Sequence, residues 1–199
     1  MILKMIMQTY LVGWTLTECG PIASGLAFNG YDKQTGKPKF DRVQSAVLWN
    51  LEFSYSVKDF LASWNMSVPK WLKHYIFLRI LPNDKRKNLN AKAAFITFLV
   101  SAVWHGFYPG FYLFFSGAFL LDLHSKLCGK VISPLVKGKL PEQLILAITW
   151  VWCYAFCAYF GIAFILLSLE NAHRVYGSMY YCGHLILIIT IAILYPLAS

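Results

Sequence analysis

QLILAITWVWCYAFCAYFGIAFILLSL, residues Gln143 to Leu169, contains no Asp, Glu, Lys or Arg. A helix needs about 20 apolar residues to cross roughly 30 Å of hydrocarbon, so this run predicts a transmembrane helix. Val175 to Ser199 is equally free of those charges and predicts a second span near 176–196, joined to the first by a short turn, Glu170 to Arg174. The composition agrees, with 58% hydrophobic and only 14% charged residues over 199 positions. Soluble domains carry about 25% charged residues, and the deficit makes lipid the solvent.

The formal charge of +9 does not point to nucleic acid. The basic residues lie between and beside the apolar runs, where the positive-inside tendency places them, and a membrane surface is the better partner. The five cysteines form no CxxC pair. Cys153 and Cys157 stand one helical turn apart inside the apolar run and read as small packing residues, so no metal site is expected.

Working outward, Ala93 to Leu121 is a third charge-free run of 29 residues. As one helix it would measure about 43 Å, longer than a span needs. Pro109 and Gly110 mark a natural break, because proline removes an amide donor and glycine relaxes the backbone. Lys85, Arg86, Lys87 and Lys92 precede the run, and Lys126, Lys130, Lys137 and Lys139 follow it. Both ends therefore read as cytoplasmic, which suits a broken or re-entrant element packed against protein or a water-filled cavity.

Closer to the start, Met1 to Gly25 has a signal-like outline, yet Gln8, Thr15, Thr17 and Glu18 interrupt its apolar core, so a retained membrane or interfacial helix is expected. Gly25 to Val43 is rich in glycine and lysine and reads as an exposed loop. Residues 44–80 mix apolar and polar positions at roughly helical spacing, which predicts amphipathic helices in the interface, with Trp64, Trp71 and Tyr75 at headgroup depth. A charged turn, Leu81 to Lys92, follows. The expected architecture is all-α: one membrane domain over residues 1–199, a multi-pass transmembrane bundle with interfacial helices.

His105 sits in the middle of the third run. An ionisable side chain at membrane depth marks a functional site by default and needs a partner. A hydrogen-bonded core histidine and a proton relay are the bland alternatives. No second carboxylate or histidine recurs nearby to build a relay, whereas a neutral imidazole in a dry cavity is suited to take a proton from an alcohol. Gly106 permits close approach, and Trp104, Phe107 and Tyr108 offer an apolar wall. Ser101, one turn earlier, lacks the glycine-flanked elbow of a serine nucleophile. His74, His124, His173 and His184 lie near charged turns or span ends, where interfacial or hydrogen-bonded roles are expected.

A second stretch, SWNMSVPKWL (Ser63 to Leu72), pairs Trp64 with Asn65 forty residues before WHGFYPG (Trp104 to Gly110). Together with GLAFNGYD (Gly25 to Asp32) and YYCGHL (Tyr180 to Leu185), these resemble the membrane-bound O-acyltransferase family, in particular its lysophospholipid acyltransferase branch. The resemblance runs from about Tyr10 to Pro196 and covers only the C-terminal part of the longer family pattern. It implies transfer of a fatty acyl group from acyl-CoA to the free hydroxyl of a lysophospholipid, in the endoplasmic reticulum membrane. His105 aligns with the catalytic histidine and Asn65 with its polar partner; Trp64, Trp104, Gly106 and Tyr108 are candidate substrate contacts. Neither a metal, another cofactor nor a covalent acyl-enzyme is implied, and a homo-oligomer is left open. Phe40 and Asp41 stand where the family pattern has tryptophan and aspartate, a departure that bears on local packing.

Competing readings stay open at two places. Asn65 heads the sequon Asn-Met-Ser and also precedes Ser67 and Pro69 as a helix cap would. The basic cluster of Lys70, Lys73, Arg79, Lys85, Arg86, Lys87 and Lys92 reads first as a solvated face and second as a site for the phosphates of CoA. Two further functional readings remain: acyl transfer to a sterol, diacylglycerol or protein, and a non-catalytic membrane scaffold.

Overall fold

The structure is a computed structural model that describes residues 2–81 and 90–198. Residues 82–89, which hold most of the expected charged turn with Lys85, Arg86 and Lys87, lie outside the described residues. Ten α-helices and one π-helical turn account for the described regular structure, and the only pairing of extended backbone described is an isolated bridge between Tyr31 and Pro38. The chain divides into two compact units, Met1–Ser54 with Asp59–Trp71, and Tyr55–Lys58 with Leu72–Ser199.

The first unit is organised on α1 (Ile2–Ala23). Met7 and Leu11, one turn apart on α1, bury against Leu51 of α2 (Leu48–Phe53), with Trp14, Phe60 and Trp64 packed around them. The Trp14 and Trp64 rings meet edge to face at 4.7 Å, and Tyr10 meets Trp64 at 5.8 Å. Each such ring pair adds about 0.5–1.5 kcal/mol beyond its buried area. Polar ties hold the rest: the Ser45 amide donates to the Glu18 carboxylate at 2.6 Å, and Lys4 pairs with Glu52 at 2.9 Å. Residues 44–80 form α2, α3 (Val57–Ser63), α4 (Ser67–Leu72), a π-helical turn (Lys73–Phe77) and α5 (Leu78–Ile80), shorter pieces than the sequence spacing suggested.

The second unit centres on α7 (Pro109–Val136), which packs against α6 (Ala91–His105), α8 (Glu142–Leu166) and α10 (Cys182–Leu197). Asn90 caps α6 by accepting from the Ala93 amide at 3.1 Å, which satisfies one of the free N-terminal donors. The predicted run 93–121 is thus two helices. Its break falls at Gly106–Tyr108 rather than at Pro109–Gly110. Gly106, at φ 131, holds a conformation that side-chain-bearing residues rarely adopt, and Pro109 instead starts α7, where its missing amide costs nothing.

α7 also runs fifteen residues beyond the predicted end at Leu121. The charges that marked that end are accommodated on the helix: Asp122 and Lys126 pair one turn apart at 2.5 Å. His124 is buried, stacks on Trp152 at 5.1 Å and lies 3.5 Å from the Cys128 thiol, so of the interfacial and hydrogen-bonded roles expected for it the hydrogen-bonded one holds. Gly110 lets α7 and α8 touch, and its amide donates to the Leu167 carbonyl at 2.9 Å across the two helices.

The expected turn at Glu170–Arg174 is part of a further helix, α9 (Leu169–Ser178), capped by Ser168 and carrying a Glu170–Arg174 ion pair. α9 meets α10 at 80°, so the predicted span 176–196 starts in the last turn of α9 and runs as α10 from Cys182. Tyr176 fixes α9 by donating its hydroxyl to the backbone carbonyls of Tyr159 and Phe160 at 3.2 and 3.3 Å. Among the described residues α8 is the one helix long and apolar enough to cross a membrane, and α9 with α10 pass the same test only as a bent pair. Ile148 and Val151 of α8 are more than half exposed among the described residues.

Candidate active site

His105 is the last residue of α6, and the end of that helix determines its surroundings. The Gly106 amide turns back to the carbonyls of Ala102 and Val103, so the chain leaves the helix axis at once. The imidazole folds down along α6 and its Nδ1 lies 2.8 Å from the Ser101 carbonyl oxygen. A carbonyl only accepts, so Nδ1 carries the hydrogen and donates it. In the neutral ring this leaves the lone pair on Nε2, the nitrogen pointing away from its own helix.

Three phenylalanines surround the half-buried ring: Phe115 at 4.8 Å, Phe164 at 5.5 Å and Phe111 at 5.7 Å between centroids. Phe111 and Phe115 come from the first turns of α7, and Phe164 from the last turn of α8. Trp104 adds its edge at 4.6 Å. The wall expected from Trp104, Phe107 and Tyr108 is therefore built mainly by other residues. Phe107 is 84% exposed, and Tyr108, also exposed, reaches Phe111 at 6.0 Å. A slit between α6 and α7, lined by Phe98, Ala102, Tyr112 and Phe115, is too narrow for a water molecule. Ser101 is buried, and its backbone rather than its hydroxyl serves the histidine.

Asn65 belongs to the first unit and His105 to the second. Asn65 has φ 47, in the left-handed region that asparagine tolerates better than most residues. Its backbone carbonyl accepts from the Val68 amide at 3.0 Å, and the next amide, of Met66, donates to Ser45 at 2.7 Å. The turn into α4 is thus made by backbone, and among the described residues no hydrogen bond is made by the Asn65 carboxamide. Trp64 packs between Tyr10 and Trp14 and holds the asparagine's turn to α1.

Of the other histidines, His124, His173 and His184 have local partners. His184 shares a 2.8 Å hydrogen bond with the Tyr159 hydroxyl, and His173 is bonded to the Tyr181 hydroxyl. Of the basic cluster, Lys70, Lys73, Arg79 and Lys92 are described, and Arg79 lies over the Tyr75 ring at 5.2 Å.

The sequence pattern of the membrane-bound O-acyltransferase family matches residues 1–169. The chain belongs to that family. Among curated proteins it is 34% identical to the lysophospholipid acyltransferase of Saccharomyces cerevisiae over 89% of this chain and 29% of the yeast protein. It is 33% identical to lysophospholipid acyltransferase 1 of Arabidopsis thaliana over 89% of this chain and 38% of that protein. With the human membrane-bound glycerophospholipid O-acyltransferase 2 it shares 31% identity over 93% of this chain and 34% of the relative. The chain therefore spans about a third of the length of these relatives of the O-acyltransferase family.

Proposed function

We propose that this chain carries the acyl-transfer centre of a lysophospholipid acyltransferase, with acyl-CoA as donor and His105 as general base. The observation that supports it most is the Nδ1–Ser101 contact, which leaves a free base on Nε2 within an aromatic wall. In this reading Nε2 takes the proton from the lysophospholipid hydroxyl as its oxygen attacks the thioester carbonyl. The tetrahedral oxyanion collapses and expels the CoA thiolate, which recovers the proton from the imidazolium. The proton count closes without a metal or a covalent acyl-enzyme. The unspent Asn65 carboxamide donates to the oxyanion or holds the acceptor, a role worth about 3–4 kcal/mol at such sites. Trp64, Trp104, Gly106 and Tyr108 are the substrate contacts of the same reading, and a multi-pass position in the endoplasmic reticulum membrane is its setting.

The test expresses the chain alone, and extended by the N-terminal portion of the yeast relative, in membranes lacking endogenous activity. Labelled acyl-CoA is offered with lysophospholipids, diacylglycerol and a sterol. The reading expects transfer to lysophospholipids by the extended form, and loss of turnover in His105→Ala at equal protein level. Turnover retained by His105→Ala overturns the role of His105. Transfer only to another acceptor overturns the substrate, and an inactive extended form supports the scaffold reading.

A further inference from the structure

Gly25 to Val43 reads from sequence as a plain exposed loop, yet it is ordered by its own bonds. The Asn29 amide donates to the Lys39 carbonyl and the Lys39 amide to the Gly30 carbonyl, both at 2.8 Å, and Asp32 and Lys37 close the tip in the same way. The Asp32 carboxylate accepts from the amides of Gln34 and Thr35 and from the Thr35 hydroxyl. Asp41 accepts from the Asn29 carboxamide at 2.7 Å and pairs with Lys39 at 3.2 Å. Ala27, fully buried, ties the loop to the end of α1: its amide donates to the Pro21 carbonyl, and its own carbonyl accepts from the Arg42 amide.

Two features of this small hairpin are left unpaired among the described residues. Phe28, Tyr31 and Phe40 form one exposed aromatic cluster, with Phe28 at 5.5 Å from Tyr31 and 5.8 Å from Phe40. Beside them Lys33, Lys37 and Arg42 are exposed, and among the described residues no carboxylate lies within ion-pair distance of any of the three. Both carboxylates of the loop are already occupied by Asn29, Thr35 and Lys39. Rings that combine an apolar face with a cationic border match the headgroup layer of a bilayer, where aromatics anchor and lysine and arginine meet anionic phosphates.

We propose that the hairpin Gly25–Val43 is an interfacial anchor that docks on anionic phospholipid headgroups, with Phe28, Tyr31 and Phe40 at the apolar boundary and Lys33, Lys37 and Arg42 on the phosphates. Because the hairpin is preformed, docking orders little new backbone, and binding depends on the lipid charge. Each cation contributes a factor of about five to the ratio of docked to free hairpin near an anionic surface. This inference is independent of the acyl-transfer reading.

The test uses the full chain in vesicles, with a nitroxide on Gln34→Cys and the exposed Cys19 and Cys182 replaced by serine. The label's depth is measured from its collisions with oxygen and with a water-soluble nickel complex. In phosphatidylcholine vesicles containing phosphatidylglycerol the label is expected at headgroup depth. It should shift toward water in phosphatidylcholine alone, in 1 M salt, and in a Lys33→Gln, Lys37→Gln, Arg42→Gln variant whose altered side chains make no internal hydrogen bond. A label in bulk water in every lipid overturns the proposal, as does one immobilised only when CoA is added, which would make a nucleotide the partner.

Discussion

Replacing Gly110 by alanine tests the contact that sets Phe164 beside His105. A Cβ at Gly110 would lie 2.2 Å from the Ala163 carbonyl oxygen and 2.7 Å from the Leu167 Cα. Both are backbone atoms of α8 and its cap, so no side-chain rotation relieves the clash. The helices must part by about 1.2 Å before that oxygen reaches the 3.4 Å of ordinary contact. Overpacking of this kind costs about 1–3 kcal/mol, and the stretched Gly110–Leu167 hydrogen bond adds about 1 kcal/mol. For a chain of this size each kcal/mol lowers the melting temperature by about 2–4 °C, so a fall of roughly 4–16 °C is expected in detergent, read by tryptophan fluorescence. Gly129 on the same helix is the control, because an added Cβ there meets nothing within 4 Å. Gly129→Ala should leave stability unchanged or raise it by up to about 1 kcal/mol through helix propensity. A Gly110→Ala protein as stable as the parent, or a Gly129→Ala protein less stable than Gly110→Ala, would refute the packing argument.

Gly106→Ala should reduce acyl transfer and stability together. Its φ of 131 is strained for any side chain, at about 1–3 kcal/mol, whereas an added Cβ would meet the Phe111 ring only in ordinary contact at 3.5 Å; unchanged turnover would argue against a fixed bend behind His105. Asn65→Ala should lower kcat by about a hundred- to a thousand-fold, beside a stability loss of about 1–2 kcal/mol from holding alanine at φ 47; a thermal defect without a fall in kcat would make the residue structural. Asp32 has its carboxyl held below the usual range, chiefly by the Thr35 amide and hydroxyl and then by the Gln34 amide. The folded value is depressed, so the order it lends the hairpin is present above the ordinary aspartate value of 3.8 and is lost as pH falls through the folded value. Amide exchange at Gln34 and Thr35 should accelerate only in that acidic window, and should lose this dependence in Asp32→Ala.

The legible parts of the molecule were those where one physical signal acts alone. The absence of charge along Gln143–Leu169 located α8 within three residues at either end. His105 stood out because few forces place an imidazole in an apolar run. Where two signals compete, reading by charge failed. Asp122 and Lys126 marked the end of a span, yet paired one turn apart they let α7 continue to Val136. Glu170 and Arg174 looked like a turn for the same reason and instead support α9, which the Ser168 cap signals. Pro109 is the first residue of the next helix rather than the break, and the bend itself falls at Gly106. Phe164, far along the chain from His105, reaches it through the close contact at Gly110, and no local pattern records such a pairing.

The central claim is that Nε2 of His105 is the base while Nδ1 is spent on the Ser101 carbonyl. It is tested most directly by placing Nε2-methylhistidine at position 105 in the extended, membrane-embedded protein and measuring acyl transfer to a lysophospholipid. The methyl group blocks Nε2 and moves the lone pair of the neutral ring to Nδ1, which faces the Ser101 carbonyl and its own helix rather than a substrate. Turnover should fall to the level of His105→Ala; turnover close to that of the unmodified protein would contradict the account.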